Sequence, residues 1–112
     1  MFGKTRMKIR VEDRIQFQPE KLTKIALGIT GHFQLDLYCV APGQMQKAHT
    51  HDAQDKVYYV LKGAGRFSLA AEEETLGEGE ALIAPAGVEH GLVNDGPDPL
   101  VILVVVAPPP IH

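Results

Sequence analysis

Residues 43–63 read GQMQKAHTHDAQDKVYYVLKG, and the fold is decided by how this stretch is punctuated. Pro42-Gly43 breaks the chain before it, and Gly63 with Gly65 turns the chain after it. Between the breaks, Val57-Tyr58-Tyr59-Val60-Leu61 is a run of strong strand formers. His49 and His51 precede it, one residue apart. In an extended chain, residues i and i+2 project from the same face, about 6.7 Å apart. Both imidazoles can therefore converge on one ion at about 2.0–2.1 Å each. Taken alone, the pair also fits two surface histidines in a loop.

The same period of two recurs on both sides. His32-Phe33-Gln34-Leu35-Asp36-Leu37-Tyr38-Cys39-Val40 alternates polar and apolar residues, as a half-buried strand does. Arg66–Ala70 alternates again, and Ala81–Ala84 is a further short apolar run. Leu100–Ala107, flanked by Pro99 and Pro108, is rich in β-branched residues and reads as a buried strand. The Glu72-Glu73-Glu74 run reads as a solvated acidic turn closing a hairpin. Helical signals are confined to Gln18-Pro19-Glu20-Lys21-Leu22, where proline and an acid suit a first turn. Residues 1–18, the start of the lead-in over residues 1–32, are loosely patterned with room for one strand. Short strands punctuated by Gly and Pro at intervals near ten residues predict an all-β sandwich or barrel.

Composition narrows the function classes. The chain has 112 residues, the size of one compact domain, with a formal charge of −3 and no basic stripe, which argues against nucleic acid as a partner. Leu100–Ala107 is too short to cross a bilayer as a helix, and residues 1–17 hold no apolar run of signal-peptide length. One cysteine, Cys39, allows no internal disulfide and suits a reducing compartment. It alternates with Leu35 and Leu37 and reads as a core residue. A cytoplasmic protein with neither nucleic-acid nor membrane partner is expected.

A second pattern completes the first. Residues 79–94, GEALIAPAGVEHGLVN, carry Gly79, Pro85, Gly87, His90 and Asn94 at the spacing G-x5-P-x-G-x2-H-x3-N. That is the second motif of the cupin superfamily, and residues 43–63 resemble the first, G-x5-H-x-H-x3,4-E-x6-G, at Gly43, His49, His51 and Gly63. The chain thus resembles a small single-domain cupin. The resemblance implies one domain over residues 1–112, an antiparallel jelly-roll β-barrel (double-stranded β-helix) with its core at about residues 33–107. It further implies a divalent ion (Mn, Fe, Ni or Zn) held by His49, His51 and His90 together with an acid.

The fourth ligand is where this chain departs from the pattern. Counted back from Gly63, the acid's position is Lys56, whose ammonium has no lone pair to give. Counted forward from His51 by the shorter gap, it is Asp55, which shares strand parity with residues 49 and 51. Asp55 is preferred; Gln54, or three histidines completed by water or substrate, stay open. Lys56 either pairs with an acid at the rim or places a cation in the pocket for a carboxylate or enolate. Gln54, Lys56, Tyr58 and Tyr38 are the candidate substrate-binding residues, one tyrosine of each inward strand face lining the cavity. The resemblance implies an enzyme on a small organic acid, enol or sugar-derived substrate, of oxygenase, isomerase, decarboxylase or lyase type. A non-catalytic ligand-binding or sensory module is the alternative, and a homodimer is expected by analogy.

Overall fold

The computed structural model describes residues 8–110; the first seven residues of the lead-in and the last two, with His112, lie outside them. A 3₁₀ turn at Val11–Arg14 precedes nine strands: β1 Thr23–Ile29, β2 Gln34–Val40, β3 Met45–His49, β4 Asp55–Lys62, β5 Gly65–Leu69, β6 Glu72–Leu76, β7 Ala81–Ala84, β8 His90–Val93 and β9 Leu100–Ala107. They form two sheets, ordered β1-β2-β9-β4-β7 and β3-β8-β5-β6, and every pairing is antiparallel. The fold is the all-β architecture that the alternation predicts. Among the described residues no helix is long and apolar enough to cross a membrane.

Parity sorts the core. The residues Tyr38, Val40, Tyr58, Val60, Ile102 and Val104 of the larger sheet meet Phe67 and Leu92 of the smaller one in a single buried cluster. The opposite face of the larger sheet is also covered. Leu37, Cys39 and Val101 are buried there, with Ile9, Val11 and Ile15 of the lead-in packed over them. Cys39 is therefore a core residue, but beneath the lead-in and not between the sheets. The lead-in covers this face because those three apolar side chains have an apolar face within reach.

Three local expectations are corrected. No helix forms at residues 18–22, where the chain only bends, and the single helical turn lies earlier, at Val11–Arg14. The lead-in yields a full strand, β1, whose TKIALGI pattern is blurred by a bulge between Ala26 and Gly28. The glutamate run is not the turn. Ala70 and Ala71, at φ 52° and 67°, make it, and Glu72–Leu76 forms the edge strand β6. Exposed carboxylates on an edge strand repel a second chain, which accounts for their position.

The motif residues outside the histidines are structural. Gly43, Gly63, Gly79 and Gly87 all adopt positive φ. At Gly63 a Cβ would also lie 2.2 Å from the Pro99 carbonyl oxygen, so the turn and the close approach both demand glycine. Asn94 is fully buried, and its Nδ2 donates to the carbonyls of Val40 and Asp98 while its Oδ1 accepts the Gly96 N–H. Asn94→Ala should leave these groups without partners and cost about 2–4 kcal/mol in urea unfolding. A loss below about 0.5 kcal/mol would show that the linkage is dispensable.

Candidate metal centre

Strand register assembles the three histidines. His49, the last residue of β3, is the direct partner of His90, the first of β8. The register slips between Gln46 and His49, and β8 approaches β3 closely at Gly91, where a Cβ would come within 2.9 Å of Ala48 and of the Gln46 carbonyl. His51 lies in the loop between β3 and β4, and its carbonyl accepts the Gly87 N–H at 2.8 Å. Thus the turn that aims His90 also anchors His51. The ligand atoms of His49, His51 and His90 lie within 4.8 Å of one another.

The tautomers suit a metal. His49 Nδ1 lies 2.7 Å from the Lys47 carbonyl and His90 Nδ1 lies 3.0 Å from the Val88 carbonyl. A carbonyl only accepts, so in both rings Nδ1 carries the proton and Nε2 presents its lone pair. His90 Nε2 is buried with no hydrogen-bond partner, an orphan that a bound cation would satisfy. Burial and then the Lys56 ammonium hold His51 below the ordinary imidazole range. Burial also lowers His90, outweighing the opposing pull of the Val88 carbonyl. Both rings therefore favour the neutral form that ligates. A divalent ion fits this donor set.

The structure brings together His49, His51 and His90 but does not bring Asp55, the expected fourth ligand, to them. Asp55 is exposed, on the strand face opposite Lys56, and its Oδ1 accepts the Ala86 N–H at 2.9 Å. The parity that grouped 49, 51 and 55 fails because residues 50–54 are a loop and not strand. Gln54 is also turned away: its Nε2 donates to the Pro108 carbonyl, 3.1 Å, and with Pro108–Pro110 it lines a groove beside His51. Three histidines remain, and among the described residues no carboxylate joins their cluster.

Lys56, Tyr58 and Tyr38 all face the interior and are 4%, 0% and 2% exposed. Lys56 Nζ donates to Tyr38 Oη at 3.2 Å, and Tyr58 Oη donates to Gln46 Oε1 at 2.8 Å. Gln46, 8% exposed on β3, is a site residue that sequence reading missed. Its only signal was a polar residue on the parity of the inward face, and the bulge in β3 obscures that parity. The Tyr58 ring stands 6.1 Å from the His90 ring, so this polar cluster adjoins the histidines. Burial pushes Tyr38 up to about 12 and raises Tyr58 as well. Burial, and then the charge of Lys24, bring Lys56 down to about 8, against a smaller opposing pull from Asp36.

The comparisons with known proteins follow this geometry. The sequence model of the cupin domain matches residues 36–106. An uncharacterized protein of Methanocaldococcus jannaschii is 32% identical over 73 residues, which is 65% of this chain and 58% of that protein. The chain thus spans less than two-thirds of that relative's length. An oxalate-binding protein of Thermotoga maritima is 28% identical over 65 residues, 58% of this chain and 54% of that protein. The crystal structure of a Thermus thermophilus protein superposes with a TM-score of 0.90 at 39% identity, covering 94% of this chain and 100% of that one.

The buried lysine makes stability pH-dependent with a definite sign. A lysine lowered from 10.5 to about 8 is protonated more fully in the unfolded chain between those values, so stability rises with pH there. Above about pH 10 the unfolded tyrosines ionise while Tyr38 and Tyr58 resist, and stability turns down. In metal-free protein, Lys56→Met should be more stable than the parent at pH 7. That advantage should shrink by about 2 kcal/mol between pH 8 and 10 in denaturant titrations. A constant difference across that range would show that Lys56 titrates normally.

Proposed function

The chain belongs to the cupin family, and on that premise we propose that it is a metal-dependent enzyme acting on a small organic acid, enol or sugar-derived substrate. The observation that carries the reading is the cluster of His49, His51 and His90 around a buried, unpartnered Nε2. These residues would hold one divalent ion of the Mn, Fe, Ni or Zn kind, imidazole being a good ligand for each. When bound, the ion supplies Lewis acidity toward a substrate oxygen. The absence of an acid ligand leaves more of the coordination shell to substrate and solvent than a four-ligand site would.

The chain's own residues supply the rest. The two tyrosines, packed edge-on with ring centroids 6.2 Å apart, fill the buried interior next to His90. Tyr38 and Tyr58 stay protonated at neutral pH and serve as hydrogen-bond donors, not as anions. Buried Cys39, held away from the centre, suits a cytoplasmic setting in which it stays reduced. The alternative is a binding module without turnover. One observation favours it, namely the relative whose name records oxalate binding, a small dicarboxylate.

Protein purified without a histidine tag should carry about one equivalent of divalent metal, and His90→Ala should remove most of it while the far-ultraviolet spectrum persists. Less than about a tenth of an equivalent, with no uptake on titration, would overturn the metal reading. Proton NMR of the loaded protein with small keto acids and uronates separates the two functions. Conversion lost in His90→Ala supports the enzyme, and line broadening without conversion supports the binding module.

A further inference from the structure

Lys56 presents an unusual electrostatic situation. It is 4% exposed, yet the ion pairs of the described residues join Arg10 to Asp13, Lys62 to Glu12, and Arg66 to Glu73 and Asp95, and none reaches Lys56. An ammonium has three N–H donors, and among the described residues only Tyr38 Oη accepts one. A buried cation without a paired anion is strongly unfavourable. The acid on this face, Asp36, is buried and accepts the Gln34 amide at 2.8 Å, outside ion-pair range of Lys56.

A second cation stands beside it. Lys24 Nζ lies 5.2 Å from the centroid of the Tyr38 ring, and Lys56 Nζ lies 5.5 Å from the same centroid. Lys24 also lines a cavity of about 490 Å³ between β1 and β3, together with Lys21, Thr23 and Gln46. Thr23 Oγ1 is buried there without a hydrogen-bond partner. Gln46 belongs both to this cavity and, through Tyr58, to the cluster adjoining the histidines. Lys56 Nζ also lies 5.5 Å from the centroid of the Tyr58 ring, which itself stands 6.1 Å from the His90 ring, so positive charge gathers next to the histidines.

We propose that Lys24, Tyr38 and Lys56 form an oxyanion subsite beside the three-histidine centre, taking a carboxylate or phosphate group of the substrate while its other oxygens face the histidines. The inference rests on the proposed function for the identity of the neighbouring centre, but the lysines themselves bind without it. The residue at position 56 is then a specificity determinant. Where the family pattern places a metal-ligating acid, this chain places a cation that selects anionic substrates.

Calorimetric titration of oxalate and of inorganic phosphate into metal-free and metal-loaded protein tests this. At least one anion should bind, oxalate if the substrate group is a carboxylate and phosphate if it is a phosphate ester. Lys56→Met should weaken that binding about tenfold or more in both forms, the worth of one charge-assisted hydrogen bond. Its metal stoichiometry should stay at the parent value and its melting temperature should not fall. Lys24→Met, at an exposed position, should weaken binding several-fold and serves should Lys56→Met not fold. Failure of the parent to bind either anion, or variants binding within about twofold of the parent, would overturn the subsite. A protein that binds anions but takes up no metal would overturn the metal centre alone.

Discussion

The site depends on one antiparallel pairing, that of β3 with β8. It sets His49 directly opposite His90 and requires Gly91, because any larger residue would strike the backbone of Ala48. Around this pairing the loop carrying His51 and the start of β4 are tied to the Pro85-Ala86-Gly87 turn by one backbone and one side-chain hydrogen bond. Gly87 N–H donates to the His51 carbonyl, and Ala86 N–H donates to Asp55. Asp55 is thus a brace for the turn that aims His90. Its carboxylate, on the outer face, is committed to that backbone amide.

The second organising feature is a cost the molecule carries inside its barrel. Lys56 lies among Tyr38, Tyr58 and Val106, in a place where an apolar side chain would pack without desolvating a charge. Such a group persists where selection acts on something other than stability, and functional sites are where perturbed ionisable groups gather. An ion bound by neutral imidazoles brings uncompensated positive charge next to the lysine. Both features favour the same occupant, an anion lying between them.

Much of this was legible in the sequence, for identifiable reasons. Strands β2, β4, β5, β7 and β9 follow from alternation and from their Gly and Pro boundaries, and the two glycine-punctuated motifs identified the three histidines before any coordinates. The turn glycines were legible because positive φ leaves few other residues. Where the reading failed, tertiary structure overrode local pattern. β1 was hidden by its bulge, and β6 by glutamates that resemble a turn but ride on a strand edge. Asp55 was misplaced because period-two parity was carried through a loop, and parity has no meaning there. The partnership of Lys24, Lys56 and Gln46 joins three strands from two sheets, and no local window contains it.

The metal centre we propose is built from three imidazoles, with no carboxylate beside them among the described residues. Diffraction from crystals of reconstituted protein, collected at the absorption edge of the bound metal, tests it most directly. One anomalous peak is expected about 2.0–2.1 Å from nitrogen atoms of His49, His51 and His90, with only solvent or small anions completing the shell. No peak among these rings, or a peak with the Asp55 carboxylate swung into the shell, would contradict it.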